Sequence, residues 1–211
     1  MMNILIITAT EEEIKLLKKK YSIIKKKHTL TFLHTGVGMS LTAYAVTKEL
    51  LKKKYDLVIN AGIAGSFSKK INIGELVAVQ SDVFAELGAE DDAQFIKFPE
   101  LNLPGYYLFQ KTKLISKPYY NSLKKVKAAT VNKVHGNTTS IKTFLNIHDV
   151  TIESMEGAAV AMVCELEKTP YIQIRSISNY VTKRNKKEWD IALAVKNLNE
   201  GLQKILDELD E

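Results

Sequence analysis

Two glutamates and two glycine-rich turns hold the residues of this chain with the types and spacing for chemistry. Glu156 stands at the entrance of GAAVAMVC (Gly157 to Cys164), a run apolar on every face, so the helix that it opens must be surrounded by protein. A carboxylate there needs hydrogen-bond partners, because an unpaired buried ion is heavily penalised. Either the backbone N–H groups of the helix start supply them, or the carboxylate grips a ligand diol. Glu13 closes the run Glu11-Glu12-Glu13 after the apolar segment Asn3–Thr8. With Thr10 three residues before it, Glu13 fits a capping box. It also lies at the carboxyl end of a first strand, where open α/β sheets bind ligands. Three acids in a row repel anions such as phosphate, yet they can orient and deprotonate water. Gly36-Val37-Gly38 and Gly62-Ile63-Ala64-Gly65 each follow an apolar segment, and such turns let backbone approach a ligand closely. Position 41 is Leu, so the dinucleotide fingerprint is broken.

The elements that must position these groups alternate between strand and helix. Strands are expected at Asn3–Thr8, Thr29–Leu33, Asp56–Asn60, Gly74–Phe84 and Lys127–Val134, and from Tyr171 to Ser178. Helices are expected through Leu16 and Leu17, from Leu41 to Lys52, over 114–123, around Ile141–Leu145 and from Gly157 to Cys164. A C-terminal amphipathic helix counts Trp189, Ala192, Val195, Leu198, Leu202, Ile205 and Leu206 on its apolar face, which assigns Trp189 to the core. Residues 95–107 hold two prolines and several aromatics without a period, the mark of an ordered loop over a pocket or in a subunit interface. His135, at the end of a strand, reads as a structural histidine rather than a catalyst. Alternation of this kind predicts a three-layer α/β/α domain spanning residues 1–211, with a central mixed sheet flanked by helices.

Composition narrows the class. Of 30 basic residues only Arg175 and Arg184 are arginines, and the lysines are spread among 24 acids. A net charge of +6 then reads as solvated surface, and no aromatic-basic nucleic-acid module is present. No apolar run reaches membrane-spanning length. Cys164 is the single cysteine, which excludes an internal disulfide and fits a reducing cytoplasm.

Ser154-Met-Glu-Gly-Ala-Ala159, followed by Arg175-Ser-Ile-Ser-Asn179, resembles the nucleoside phosphorylase/nucleosidase superfamily, and with Glu13 and the Gly62–Gly65 turn the resemblance covers nearly the whole chain. It implies that Met155 packs on a ribose, that Glu156 binds the ribose hydroxyls and that Glu13 activates the attacking water. Gly62 and Ile63 would lie beside nucleobase and ribose, with Ile63 replacing a serine of the methylthioadenosine branch. The turn His135-Gly136-Asn137 would border the purine, to which Asn137 and its neighbours could offer backbone groups. The family's phosphorylases hold phosphate with an N-terminal arginine, whereas here no arginine precedes Arg175. Hydrolysis of an N-glycosidic bond is therefore the expected reaction. Asn179 occupies a position that is Asp in adenine-releasing members. Its NH2 can donate to N7 and to a 6-oxo oxygen, so the expected base is a 6-oxopurine. This, together with Phe84-Ala-Glu-Leu-Gly-Ala-Glu-Asp91, is similar to the branch that releases hypoxanthine from futalosine in menaquinone biosynthesis. A methylthioadenosine/S-adenosylhomocysteine or aminofutalosine nucleosidase is the alternative. Arg184, or the neighbouring Lys183, is the expected contact for the substrate's distal carboxylate. The resemblance implies no cofactor, no metal and a small-molecule nucleoside as substrate. It also implies a homodimer or larger homo-oligomer.

Overall fold

The computed structural model describes residues 1–21, 27–105, 108–110 and 117–210. Its strands are β1 (Asn3–Thr8), β2 (Thr29–His34), β3 (Leu57–Ser66), β4 (Leu76–Phe84), β5 (Gly88–Asp91), β6 (Gln94–Lys97), β7 (Leu108–Gln110), β8 (Lys124–Thr130), β9 (Ile152–Ser154) and β10 (Tyr171–Tyr180). The α-helices are α1 (Lys15–Tyr21), α2 (Met39–Lys52), α3 (Pro118–Ser122), α4 (Thr138–Ile147), α5 (Gly157–Leu166) and α6 (Ile191–Asp210). The main sheet is mixed and runs β10-β4-β8-β9-β3-β1-β2, and β10 also pairs with β3. That extra pairing closes β3, β10, β4, β8 and β9 into a ring, from which β1 and β2 extend.

The central strands are apolar in continuous runs because both faces of the sheet are covered. Ile4, Ile6, Ile59, Ile172 and Ile174 pack against Leu198, Leu202, Ile205 and Leu206 of α6 and Leu17 of α1. The alternate residues Leu5, Ile7 and Val58 face Val46 and Leu50 of α2 and Val160, Val163 and Cys164 of α5. The layered α/β architecture is thus as the alternation predicted. Among the described residues no helix is long and apolar enough to cross a membrane.

Several local expectations shift. The Gly62–Gly65 segment is not a turn: β3 continues through it, pairing with β10 on one side and, at Gly65, with β9 on the other. Its glycines answer crowding. A Cβ on Gly62 would lie 3.0 Å from Glu13 Oε1, and one on Gly65 would lie 2.8 Å from Val181 Cγ2. Residues 152–154 form a short strand, β9, just before Met155 and Glu156. Within the acidic stretch 86–92, Gly88–Asp91 pairs antiparallel with Gln94–Lys97 as a two-stranded sheet. Of the helix expected over 114–123, only Pro118–Ser122 is helical among the described residues, and 114–116 lie outside them. Helix α6 begins at Ile191, so Trp189 precedes it instead of lying on its buried face.

Candidate active site

The carboxyl end of β1 runs directly into the turn that carries Glu13. Glu13 is only 8% exposed, and both of its oxygens are engaged. Ile63 N donates to Oε1 at 3.1 Å, and Thr10 N donates to Oε2 at 3.0 Å. The second contact is half of the capping box, although α1 itself starts only at Lys15. The first crosses to β3 and turns the carboxylate away from a purely local role. The backbone of Glu13 is held too: Asn199 of α6 donates from Nδ2 to the Glu13 carbonyl at 2.9 Å and accepts from Leu17 N at 2.8 Å. Asn199 was not legible as a site residue, because its apolar neighbours in α6 mark the helix face and nothing local marks the polar exception.

Glu156 occupies the N-cap position of α5, yet its side chain does not cap that helix. It accepts instead from Gly38 N at 2.9 Å, across from the start of α2. Gly38 has φ of 99°, a left-handed value that favours glycine. Burial raises the pKa of the Glu156 carboxyl, an effect opposed by the Gly38 N–H and by Arg175 and reinforced by Glu13. Arg175 lies beneath the two acids, 2% exposed, with Nη1 donating to the Asn60 carbonyl, to Asn60 Oδ1 and to the Ile174 carbonyl at 3.2–3.3 Å. Burial lowers its pKa, and Glu156, Asp82 and Glu13 counter that in this order. The buried guanidinium opposes the effect of burial on the Glu156 carboxyl.

Glu13 and Glu156 line one cavity of about 360 Å3. Met155, Ile63, Asn179 and Arg184 line it as well, beside Glu12, Ala64, Gly65, Val134, His135, Glu153, Ser154, Ser178 and Trp189. This volume falls in the range of small-molecule sites. Asn179 accepts from Ser178 Oγ at 2.8 Å, while its Nδ2 donates to the Tyr180 carbonyl at 3.2 Å. Gly62 lies directly against the Glu13 carboxylate. Arg184 is exposed, with its guanidinium 5.1 Å from the Trp189 ring centroid. Trp189 therefore belongs to the cavity wall, a correction to the core assignment.

Asn137 departs from its expected place. Its Oδ1 accepts from Thr139 N at 2.9 Å and Ser140 N at 3.1 Å, capping α4, and it is not among the cavity's lining residues. Glu153 went unremarked in the sequence, yet it is buried, lines the cavity and is bonded twice to His135. Its only sequence signal was an acid between the apolar Ile152 and the Ser-Met-Glu run.

A profile of the Phosphorylase superfamily matches residues 3–211. The chain belongs to this superfamily. Within it, the chain is similar to a 5'-methylthioadenosine/S-adenosylhomocysteine nucleosidase of Maridesulfovibrio salexigens, 33% identical over 212 residues, covering 85% of this chain and 87% of the relative. It is also similar to a futalosine hydrolase of Streptomyces coelicolor, 28% identical over 160 residues, with 72% and 66% of the two chains covered. Among solved structures, the futalosine hydrolase of Helicobacter pylori superposes with a TM-score of 0.85 at 18% identity, over 98% of this chain and 97% of that one. Phosphorylase-superfamily membership and this likeness account for the layered fold around the cavity.

Proposed function

We propose that the chain hydrolyses the N-glycosidic bond of a purine nucleoside, and of futalosine in particular, releasing hypoxanthine and dehypoxanthinyl futalosine. The observation that carries the hydrolytic part is the sharing of one cavity by Glu13 and Glu156. Cleavage of an N-glycosidic bond builds positive charge on the sugar, as in other glycosyl transfers. In this reading Glu156 accepts from the ribose hydroxyls and stabilises that charge, Met155 packs on the sugar, and Glu13 takes a proton from the attacking water. Four acids line the cavity, Glu12, Glu13, Glu153 and Glu156, against Arg184 as the cation among the lining residues. Such a field disfavours phosphate as the nucleophile and favours water.

The choice of futalosine rests on Asn179. Beyond the N–H given to Tyr180, its amide keeps one donor that N7 and O6 of a leaving hypoxanthine can share, an interaction that strengthens as the base gains negative charge. Arg184 at the rim, backed by Trp189, suits the distal carboxylate of that substrate. The relative named a methylthioadenosine/S-adenosylhomocysteine nucleosidase favours a second reading, in which the base is adenine and the 5' substituent a thioether. A purine-release assay with futalosine, aminofutalosine, methylthioadenosine and inosine, with and without phosphate, separates these. Fastest release from futalosine, independent of phosphate, is expected. Preference for methylthioadenosine would install the second reading, and dependence on phosphate would overturn both.

A further inference from the structure

If the cavity is a purine-nucleoside site with Asn179 at the base, the wall facing Asn179 must meet the same base. Gly65 of β3 pairs with Asn179 of β10 on one side and with Glu153 of β9 on the other. Adjacent strands lie about 4.8 Å apart, so these residues stand on either side of one bare backbone position. A Cβ on Gly65 would lie 3.3 Å from Asn179 Nδ2 and 3.6 Å from Glu153 Cγ. Both side chains therefore close over the same spot, and both line the cavity.

Glu153 is 3% exposed, and a single residue occupies both of its oxygens. His135 N donates to Oε1 at 3.0 Å, and His135 Nδ1 lies 2.6 Å from Oε2. Burial raises the Glu153 pKa, and the two contacts from His135 work against that rise. The imidazole is fixed by packing as well, its centroid 4.3 Å from that of Phe144. It forms a shared wall between this cavity and a second one lined by Phe95, Phe144 and His148. A carboxylate at Glu153 accepts from Nδ1–H, and in the tautomer that this selects Nε2 carries the lone pair.

We propose, resting on that reading of the cavity, that His135, held by Glu153, is a specificity-determining residue that reads the nucleobase edge from the side opposite Asn179. Its Nε2 accepts the N1–H that a 6-oxopurine presents. A 6-aminopurine offers only a lone pair at N1, and two acceptors would then face each other. Asn179 and His135 thus read two different atoms of one base.

The test compares catalytic efficiency for futalosine and its 6-amino counterpart in wild type, Glu153→Gln and His135→Phe. In Glu153→Gln, the amide oxygen must take the His135 backbone N–H. The amide NH2 then faces Nδ1, which forces the proton onto Nε2 and turns an acceptor into a donor. His135→Phe keeps a ring against Phe144 but removes both nitrogens. The 6-oxo to 6-amino ratio is expected to fall about tenfold or more in both variants, since a site built on a hydrogen bond discriminates strongly against a mismatched partner. Should a variant lose activity altogether, calorimetric affinities for hypoxanthine and adenine give the same ratio. A ratio within about twofold of wild type in His135→Phe would overturn the proposal. A shift in His135→Phe with none in Glu153→Gln would overturn the tautomer-setting role of Glu153. The wild-type ratio by itself judges the futalosine reading, and its change on substitution judges His135.

Discussion

The Glu13 carboxylate and the Ile63 backbone are joined by a hydrogen bond of 3.1 Å from Ile63 N to Oε1, which ties the turn after β1 to the middle of β3. This bond, more than the contact to Thr10, aims Glu13 into the cavity. Glu13→Gln preserves the acceptor for Ile63 N while removing the base. Turnover is expected to fall by about two to four orders of magnitude, with the melting temperature near that of wild type. Near-normal turnover would reduce Glu13 to a helix cap.

Glu156 is oriented by Gly38 N instead of by its own helix. Glu156→Gln should weaken ribose binding and slow catalysis together, because the neutral amide neither accepts from two hydroxyls nor stabilises a positive sugar. A 2'-deoxy or 3'-deoxy substrate should be poor even with the wild-type enzyme. Equal cleavage of deoxy and ribo substrates would remove the diol role.

Asn179→Asp exchanges a neutral amide for a group that can accept from a 6-amino substituent and, when protonated, donate to N7. Futalosine cleavage should drop, and some adenine release from aminofutalosine should appear. Discrimination can reach about four orders of magnitude where a hydrogen bond is lost or mismatched. The measurement is the ratio of the two kcat/KM values, and indifference of that ratio to the substitution would refute the role.

Arg184 is exposed at the cavity rim and stacked over Trp189. Arg184→Gln should raise KM for futalosine about tenfold while leaving methylthioadenosine, which has no distal carboxylate, within about twofold. Equal effects on both substrates would argue for a loop-positioning role instead.

Asp82 gives the pH prediction. It is 2% exposed and accepts from Thr130 Oγ1 and Gln173 Nε2, each at 2.9 Å. Burial pushes its pKa from 3.8 to about 6. Between those values the folded protein binds more protons than the unfolded chain, so the stability tied to this group is present below the unfolded pKa and is lost as pH rises through the folded one. Asp82→Asn lacks this titration, and Gln173 can rotate its amide to meet the new side chain. On going from about pH 4 to pH 7, the unfolding free energy of the variant should gain on wild type by about 1–3 kcal/mol. Denaturant midpoints that run parallel across that range would dismiss the effect.

Local and periodic features were legible in the amino-acid order alone. The apolar runs of β1, β3 and β10 declared strands covered on both faces, and the 3.6-residue spacing of Leu198, Leu202, Ile205 and Leu206 declared α6. Glu13 and Glu156 were conspicuous because each is a charge at the edge of an apolar element. Tertiary structure decided the features that depend on residues far apart in the chain. Strand pairing on both sides, together with the crowding of Glu13 and Val181 around Gly62 and Gly65, made an apparent glycine turn part of β3. Two amides of its own helix made the Asn137 side chain a cap of α4. Glu153 gained significance only when β9 set it across Gly65 from Asn179 and beside His135. Trp189 left the core because α6 starts after it, so the helical period on which it was counted does not extend back to it. Periodicity records which face of an element is buried, but the identity of the group brought against that face is fixed by chain closure over long sequence separations, and no local pattern encodes it.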